Sequence, residues 1–209
     1  MSNIKLVHSG GNSVSLTTTT SNPASNKTFK LPQADGSAGQ VLQTDGNGNL
    51  TFVNPGGISF SQQWRLTSNK STSSTSSDIS ANLEVVDSDG YGGLGGTMTQ
   101  SSGIFTFPST GIYLILAKGS YSASGGSTSN YNEMDLHTTT DNSTFNRAAI
   151  GWCYIASGGY GTAACDFMFD VTNTSTHKVK FRGASASSNA YLTANTNDNQ
   201  THFTFIKLG

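Results

Sequence analysis

The fold is decided by one stretch near the middle of the chain, which reads Gly103-Ile-Phe-Thr-Phe-Pro-Ser-Thr-Gly-Ile-Tyr-Leu-Ile-Leu116. Two runs of β-branched, aromatic and aliphatic residues flank Pro-Ser-Thr-Gly, which is typical of a tight turn between strands. The second run is apolar on both of its faces. One face therefore packs in a core and the other against a second buried surface. Because a single sandwich leaves its outer face polar, this run indicates an oligomer.

The composition around this stretch is that of a folded β protein. Ser, Thr, Asn and Gly account for nearly half of the 209 residues, and only 11% are charged, against about 25% in an ordinary soluble domain. Hydrophobic residues make up 34% and aromatic residues 10%, in short β-type runs that argue against disorder. No window has apolar residues at helical spacing over three turns, which excludes helical bundles and coiled coils.

Charge and hydropathy exclude two further classes of function. The formal net charge of −1 provides no field that would hold a polyanion, so we expect no nucleic-acid binding. No apolar run approaches the roughly 18 residues of a membrane span, so we expect no membrane insertion. The segment 1–11 has no apolar core long enough for a cleaved secretory signal.

From Ile58 onward the pattern is that of a β-sandwich, with short apolar runs separated by Gly, Ser and Asn turns. The sequence therefore predicts a head domain over 58–209. Its predicted strands are Ser59–Leu66, Leu83–Val86, Gly103–Phe107, Gly111–Tyr121, Tyr131–Thr138, Phe145–Ala156, Thr162–Val171, His177–Gly183, Ala190–Thr196 and Thr201–Leu208.

The preceding segment, 1–57, is predicted to be an extended arm that ends at Asn54-Pro-Gly-Gly57. Short β-like pieces occur at Ile4–His8, Val14–Thr19 and Thr28–Leu31. Residues 40–54 predict a β-hairpin, because Asp-Gly and Asn-Gly accept positive φ easily. So few large apolar groups cannot supply a core of their own. The arm therefore needs a partner surface, from identical chains or from a host particle.

The head resembles the globular heads of the complement/tumour-necrosis-factor (TNF) jelly-roll superfamily. Phe105-Thr-Phe-Pro108 followed by Gly111-Ile-Tyr-Leu114 matches the strand, Pro-x-x-Gly turn and Gly-x-Tyr of that superfamily, and His202-Phe-Thr-Phe-Ile-Lys-Leu208 matches its last strand. The resemblance implies an all-β jelly-roll sandwich and a homotrimer. The chain lacks the glycine usual in the middle of the last strand and has Thr204-Phe205 there. The inward register is therefore open, and either His202 or Phe203 faces the implied three-fold axis.

The arm resembles segments of fibre and appendage proteins of tailed bacteriophages, cyanophages in particular, above all over Leu31–Val53. Together the two resemblances imply a small trimeric virion protein, assembled in the host cytoplasm and attached to capsid or tail proteins through residues 1–57. Three heads would associate through aromatic and aliphatic strand faces, driven by removal of apolar area from water. The candidate side chains of core and trimer interface are Phe105, Phe107, Ile112, Tyr113, Leu114, His202, Phe203 and Phe205.

Cys153 and Cys165 flank a turn centred on Gly158-Gly-Tyr160. In a hairpin with that centre the two cysteines face each other across the strands, as a disulfide or as two buried thiols. Assembly in a reducing cytosol favours free thiols.

No pattern of metal or catalytic residues stands out. The four histidines lie apart, without zinc spacing. If His202 faces the axis, three imidazoles meet and acid weakens the trimer. Asp87-Ser-Asp89-Gly90 is an acidic cluster that suggests calcium, but it lacks the remaining positions of a calcium loop, and a solvated turn is favoured. Asp166 and Asp170 are as consistent with a polar edge as with an acid/base pair.

The sequence therefore predicts a non-enzymatic virion structural protein without cofactors: a capsid decoration, a head fibre or a short tail-fibre appendage. The alternative is a receptor-binding tip for host glycan or another host surface molecule. Its candidate recognition loops are Ser122–Asn132 and Ala184–Asn199, which are rich in Ser, Gly, Asn and Tyr. The same residues also make ordinary solvated loops, which is the favoured interpretation. A glycan-cleaving enzyme is disfavoured, because the sequence has no constellation of carboxylates.

Overall fold

A computed structural model describes residues 4–7, 9–16, 25 and 28–208, which form an all-β protein. The chain divides into two compact units, Met1–Pro55 and Gly56–Gly209. The strands are β1 Ile4–Val7, β2 Ser13–Leu16, β3 Val41–Thr44, β4 Leu50–Val53, β5 Ile58–Leu66, β6 Lys70–Ser71, β7 Ser77–Asp78, β8 Leu83–Val85, β9 Thr99–Ser101, β10 Ile104–Thr106, β11 Gly111–Ala123, β12 Ser129–Thr139, β13 Asn146–Ile155, β14 Tyr160–Val171, β15 Lys178–Ser185, β16 Ala190–Leu192 and β17 His202–Leu208. One 3₁₀ turn, Ser124–Gly126, follows β11.

The N-terminal unit contains two antiparallel hairpins, β1–β2 and β3–β4. The turn of the second is held by Asp45, whose Oδ1 accepts the backbone N–H of Asn47 at 2.8 Å and whose Oδ2 accepts Nδ2 of Asn49 at 2.6 Å. The predicted strand Thr28–Leu31 is not formed among its described residues, and Lys30 instead makes a single parallel bridge to Asn49. Of the predicted strands at the start of the chain, His8 and residues 17–19 lie outside the described part.

Apolar side chains of this unit remain at its surface. The described large apolar residues that are more than a third exposed are Val7, Phe29, Leu31, Val41, Leu42 and Phe52. The unit therefore does not enclose these groups by itself.

The C-terminal unit is a sandwich of two antiparallel sheets. The six-stranded sheet has the order β13-β12-β15-β10-β9, with β7 beside β15. The seven-stranded sheet has the order β6-β16-β11-β17-β5-β8, and β14 pairs along the other edge of β11. The tight turn predicted after Phe107 therefore leads from β10 in one sheet to β11 in the other. The short strands β6, β7 and β9, each of two or three residues, were not predicted from the sequence.

The core between the sheets is built from aromatic rings. The ring of Phe105 lies 5.4 Å from that of Trp64 and 5.3 Å from that of Phe205, centroid to centroid. Phe181 of one sheet stacks on Phe203 of the other at 3.8 Å. Because each ring removes a large apolar area from water, this cluster fixes how the two sheets pack.

Among the described residues, none belongs to a helix of the length and apolar character that crossing a bilayer requires.

Candidate functional site

Strand β11 has apolar side chains on both of its faces, as the sequence predicts. Tyr113 and Ile115 point into the core and are fully buried. The alternate side chains point away from the core, and Ile112 is 48% exposed there. Leu114 lies on that side and is half-buried. We call this side of the seven-stranded sheet the outer face.

The strand registers align apolar side chains in two rows across the outer face. In the first row Ile112 lies between Leu208 of β17 and Asp170 of β14, with Ile58 beyond Leu208. In the second row Leu114 lies between Ile206 and Met168, which is 66% exposed. The six residues Ile58, Ile112, Leu114, Met168, Ile206 and Leu208 are called the apolar rows below.

Further along the strands the same face becomes mixed in character and then cationic. Thr204 and Leu116 are followed by the neighbours Arg65, His202 and Lys118 on β5, β17 and β11. These last three residues are called the cationic row. The outer face therefore has an apolar end and a charged middle.

Arg65 is fully buried, and each of its three guanidinium nitrogens donates a hydrogen bond. Nε donates to Glu84 Oε1 at 2.7 Å, Nη1 to Ser88 Oγ at 2.8 Å and Nη2 to Asp87 Oδ1 at 2.7 Å. Burial raises the pKa of Glu84, but the hydrogen bonds from Arg65 and Thr196 outweigh burial and hold that pKa below its ordinary value.

The weak calcium candidates, Asp87 and Asp89, are placed by this contact. The Asp87 carboxylate pairs with the guanidinium of Arg65. Asp89 occupies the turn that follows, with φ of 55°. Within the described residues no three His, Cys, Asp or Glu side chains come together as a metal site. A carboxylate already neutralised by Arg65 is a poor ligand for a hard cation.

The register of the last strand is resolved. Phe203 is fully buried in the core, and His202 lies on the outer face, half-buried, beside Lys118. Burial lowers the pKa of His202; the acceptor Gln200 O opposes this shift and Lys118 adds to it.

The predicted core and interface residues divide in the same way. Phe105, Phe107, Tyr113, Phe203 and Phe205 lie in the core of one head. Ile112, Leu114 and His202 lie on the outer face.

The predicted pairing of Cys153 with Cys165 is not formed. The turn after Ile155 carries the chain from one sheet to the other, so Cys153 lies opposite Asn132 and Cys165 opposite Ala117. Both thiols are free. Cys165 donates to Met134 O at 3.3 Å, and burial, followed by the charges of Asp135 and Asp166, raises its pKa to about 12.

A second exposed apolar surface lies on β13, at the edge of the six-stranded sheet. Trp152 is 62% exposed and Tyr154 58% exposed, whereas Ile155 on the same strand is buried in the core. The two residues are called the aromatic edge. The sequence pattern did not single them out, although their i, i+2 spacing places them on one face of the strand.

The outer side of the six-stranded sheet holds a compact group of charges. Asp135 is almost fully buried; its Oδ2 accepts from Ser76 Oγ at 2.7 Å, and its Oδ1 has no hydrogen-bond partner. His137 lies beside it, 3.9 Å from Nε2 to Oδ2. Burial, together with Arg182, Lys180 and Arg147, lowers the pKa of His137 against the opposing charge of Asp135.

Asp166 and Asp170 both point outward from β14, four residues apart with Met168 between them. Four residues of strand span roughly 13 Å. Glycosidase carboxylates are about 5 to 9.5 Å apart. The two carboxylates are therefore too far apart for an acid/base pair of that kind.

The two predicted recognition loops lie side by side. Ser124 N donates to Asn189 O at 3.0 Å, and Asn189 Nδ2 donates to Ser127 Oγ at 2.9 Å. Nothing in the sequence indicated this contact, since about sixty residues separate its partners.

No known family profile matches the chain, and no curated protein matches it. Solved structures do. Murine APRIL at pH 5.0 superposes with a TM-score of 0.53 at 13% identity, covering 71% of this chain and 98% of that one. Murine APRIL at pH 8.0 gives 0.50 at 12% identity, with coverage of 71% and 98%. Eiger TNF from S. frugiperda gives 0.47 at 12% identity, with coverage of 72% and 93%.

The likeness to APRIL shows the fold. The chain is an all-β protein with a jelly-roll sandwich of the TNF type, as the sequence predicted.

Proposed function

We propose that this chain is a non-enzymatic structural protein that assembles into a homotrimer through the outer face of its head. The observation that carries the proposal is the pair of apolar rows. They gather six half-buried or exposed apolar side chains from four strands, β5, β11, β14 and β17, at one end of the outer face. Covering such a patch removes apolar area from water at about 25 cal/mol per Å². A partner that covers the apolar rows would therefore stabilise the head more than one bound to the polar parts of its surface.

The position of a second apolar surface supports a ring rather than a two-fold dimer. A two-fold contact uses one surface twice, whereas a closed ring uses two different surfaces of each copy. The head carries the apolar rows on one sheet and the aromatic edge, Trp152 and Tyr154, on the other. Exposed Trp and Tyr are typical of the centres of protein interfaces. A three-membered ring would bury both surfaces of every copy.

Met168→Glu in the full chain tests this assembly. Met168 is 66% exposed in one copy, so a carboxylate there leaves the head folded, but it would bury a charge in the trimer. We expect the natural chain to sediment at three times 21.8 kDa and Met168→Glu to sediment as a monomer with an unchanged circular dichroism spectrum.

Thr140→Glu is the matched control, because it adds the same charge at an exposed position just after β12. β12 lies in the other sheet from the apolar rows, and Thr140 is seven residues from Glu133, the neighbour of Trp152. This variant should remain a trimer. A natural chain that sediments as a monomer at micromolar concentration would refute the assembly.

We further propose that the trimer is part of a tailed-phage virion, as a capsid decoration, a head fibre or a short tail-fibre appendage, with residues 1–57 as the attachment arm. The resemblance of Leu31–Val53 to phage appendage segments supports this. So do the exposed apolar side chains of the arm, such as Phe29 and Leu31, which need a covering partner. Intact particles of the phage that encodes the chain, imaged with a gold label on the chain, should carry the label at one defined position on the particle. Particles without the label would contradict a virion location.

A further inference from the structure

A polar recess lies where the two candidate recognition loops, Ser122–Asn132 and Ala184–Asn199, meet at one end of the seven-stranded sheet. It has a volume of about 290 Å³ and is lined by Asn69, Ser71, Ser124, Asn189 and Tyr191, among others. Pockets for small ligands begin near this size, at about 300 Å³. The recess therefore has room for a ligand of one or two small rings.

The walls of the recess are held in place by strand pairing and by hydrogen bonds to the backbone of Ala190. Strand β16, which carries Tyr191, pairs with β11 on one side and with β6 on the other. Ala190 O accepts from Thr72 Oγ1 at 2.8 Å, and Ala190 N donates to Ser187 O at 3.1 Å. Because these contacts exist without a ligand, binding would cost little ordering of the loops.

The chemistry of the walls limits the kind of ligand. Every lining residue is Asn, Ser, Ala or Tyr, so no formal charge faces the recess. Phosphates, carboxylates and amines would lose hydration without gaining a counter-charge. An aliphatic ligand would strand the amides and hydroxyls of the wall without partners. A neutral molecule with many hydroxyl groups satisfies both conditions.

Two amides and one ring offer complementary contacts for such a molecule. Asn69 Oδ1 accepts Ala194 N at 2.8 Å, which turns the Asn69 NH₂ into the available donor. Asn189 Nδ2 donates to Ser127, which leaves its Oδ1 as an acceptor. Tyr191 is half-buried and supplies an aromatic surface. A donor, an acceptor and a ring match the hydroxyls and the C–H face of a pyranose.

The recess also lies at the end of the head opposite to the one at which the chain enters it. Tyr191 is opposite Ser122 near the end of β11, whereas the head begins at Ile58, in the row of Ile112 at the other end of β11. The ten residues from Ile112 to Ser122 span roughly 33 Å. The recess is therefore remote from the end at which the chain enters the head.

We propose that this recess is a binding site for a neutral saccharide. The inference depends on the fold of the head alone and goes beyond the proposed assembly. Refuting one of the two proposals would therefore not refute the other.

The test is a titration of the full chain with ligand. Binding is followed by nuclear magnetic resonance through the backbone amide signals of nitrogen-isotope-labelled protein. The probes are the methyl glycosides of glucose, galactose, mannose, N-acetylglucosamine and N-acetylgalactosamine, with N-acetylneuraminic acid as the charged comparison. We expect at least one neutral glycoside to shift the amides of Asn69, Ser71, Ser124 and residues 188–191 at millimolar concentration, and the charged sugar to bind more weakly.

Three variants refine the test. Tyr191→Ala should weaken binding about tenfold, and Tyr191→Phe should keep most of it. Asn69→Asp keeps the acceptor for Ala194 N but replaces the NH₂ donor, and it should weaken binding without unfolding the protein. Asn146→Ala, an exposed position on β13, is the matched control. Absence of shifts with every neutral glycoside, shifts centred elsewhere, stronger binding of the charged sugar, or equal losses in Asn146→Ala would each overturn the proposal.

Discussion

Arg65 carries a permanent charge in a fully buried position, and its three partners explain why this is tolerated. Its hydrogen bonds tie β5 to Glu84 of β8 and to the turn at Asp87 and Ser88. The turn at Asp87 and Ser88 is also tied to the loop before β17, because Ser88 Oγ donates to Asn197 O at 3.1 Å. One guanidinium therefore organises two loops at an edge of the sheet, and its planar fork suits this better than an ammonium.

The two sides of this ion pair should respond unequally to mutation. Arg65→Lys leaves at least one acceptor unmet and moves an ammonium into a buried place, so we expect a loss of about 1 to 3 kcal/mol in the free energy of unfolding. Asp87→Asn should cost less than about 1 kcal/mol, because the Asp87 side chain is 76% exposed and solvent screens its charge. Urea unfolding followed by tryptophan fluorescence measures both. Equal losses in the two variants would contradict this account of the buried guanidinium.

At the scale of single strands, most elements of the head could be predicted from the sequence. Alternation of apolar residues and Gly, Asn and Ser turns located β5, β8 and β10 to β17 within a few residues. The short strands β6, β7 and β9 were missed because two or three polar residues carry no periodic signal. Their pairing is imposed by the neighbouring strands, as in Tyr191 opposite Ser71.

The connection between β13 and β14 shows where local pattern is insufficient. Its turn residues predicted paired strands, and hence the facing cysteines, but the two strands belong to different sheets. A Cβ on Gly151 would lie 1.9 Å from Ala164 O, so the strands pack closely without forming a ladder. Sequence distance from the turn sets which residues are near each other only when the strands pair. The choice of sheet is made by long-range partners, Asn132 for Cys153 and Ala117 for Cys165.

The outer face shows the same division. The apolar side chains that β11 contributes to it could be predicted from the sequence, because the run is apolar at every position from Ile112 to Leu116. The contribution of Met168 could not, since it depends on the register that places β14 beside β11. The role of Arg65 likewise needed the loops that reach its guanidinium.

At the scale of the whole molecule, charge is scarce and therefore matters where it is concentrated. The chain has a formal net charge of −1, yet the cationic row sets Arg65, His202 and Lys118 side by side on the proposed assembly face. Arg65 is balanced by Glu84 and Asp87, whereas the nearest carboxylate on β14, Asp166, lies one row away from Lys118. In the proposed ring each interface would cover one such row with the neighbouring head, so the protonation state of His202 decides how much positive charge each interface buries.

Acid should therefore dissociate the assembly. Burial, reinforced by Lys118, lowers the pKa of His202 in the folded head below its ordinary value of 6.5, so the folded head binds this proton less readily than the unfolded chain does. A neighbouring head over the outer face would bury His202 further and add to this shift. The penalty is absent well above that value and grows as pH falls below it. We expect the sedimenting mass to fall from trimer to monomer between pH 7 and pH 5, and His202→Gln, which stays neutral, to remain trimeric throughout. His137→Gln is the control, because the pKa of His137 is also lowered. His137 lies away from the outer face and four residues along β12 from Glu133, the neighbour of Trp152, which is roughly 13 Å from the aromatic edge. This variant should therefore change the acid dependence of unfolding and leave dissociation as in the natural chain. A sedimenting mass that is the same at pH 7 and pH 5 in the natural chain would remove His202 from the interface.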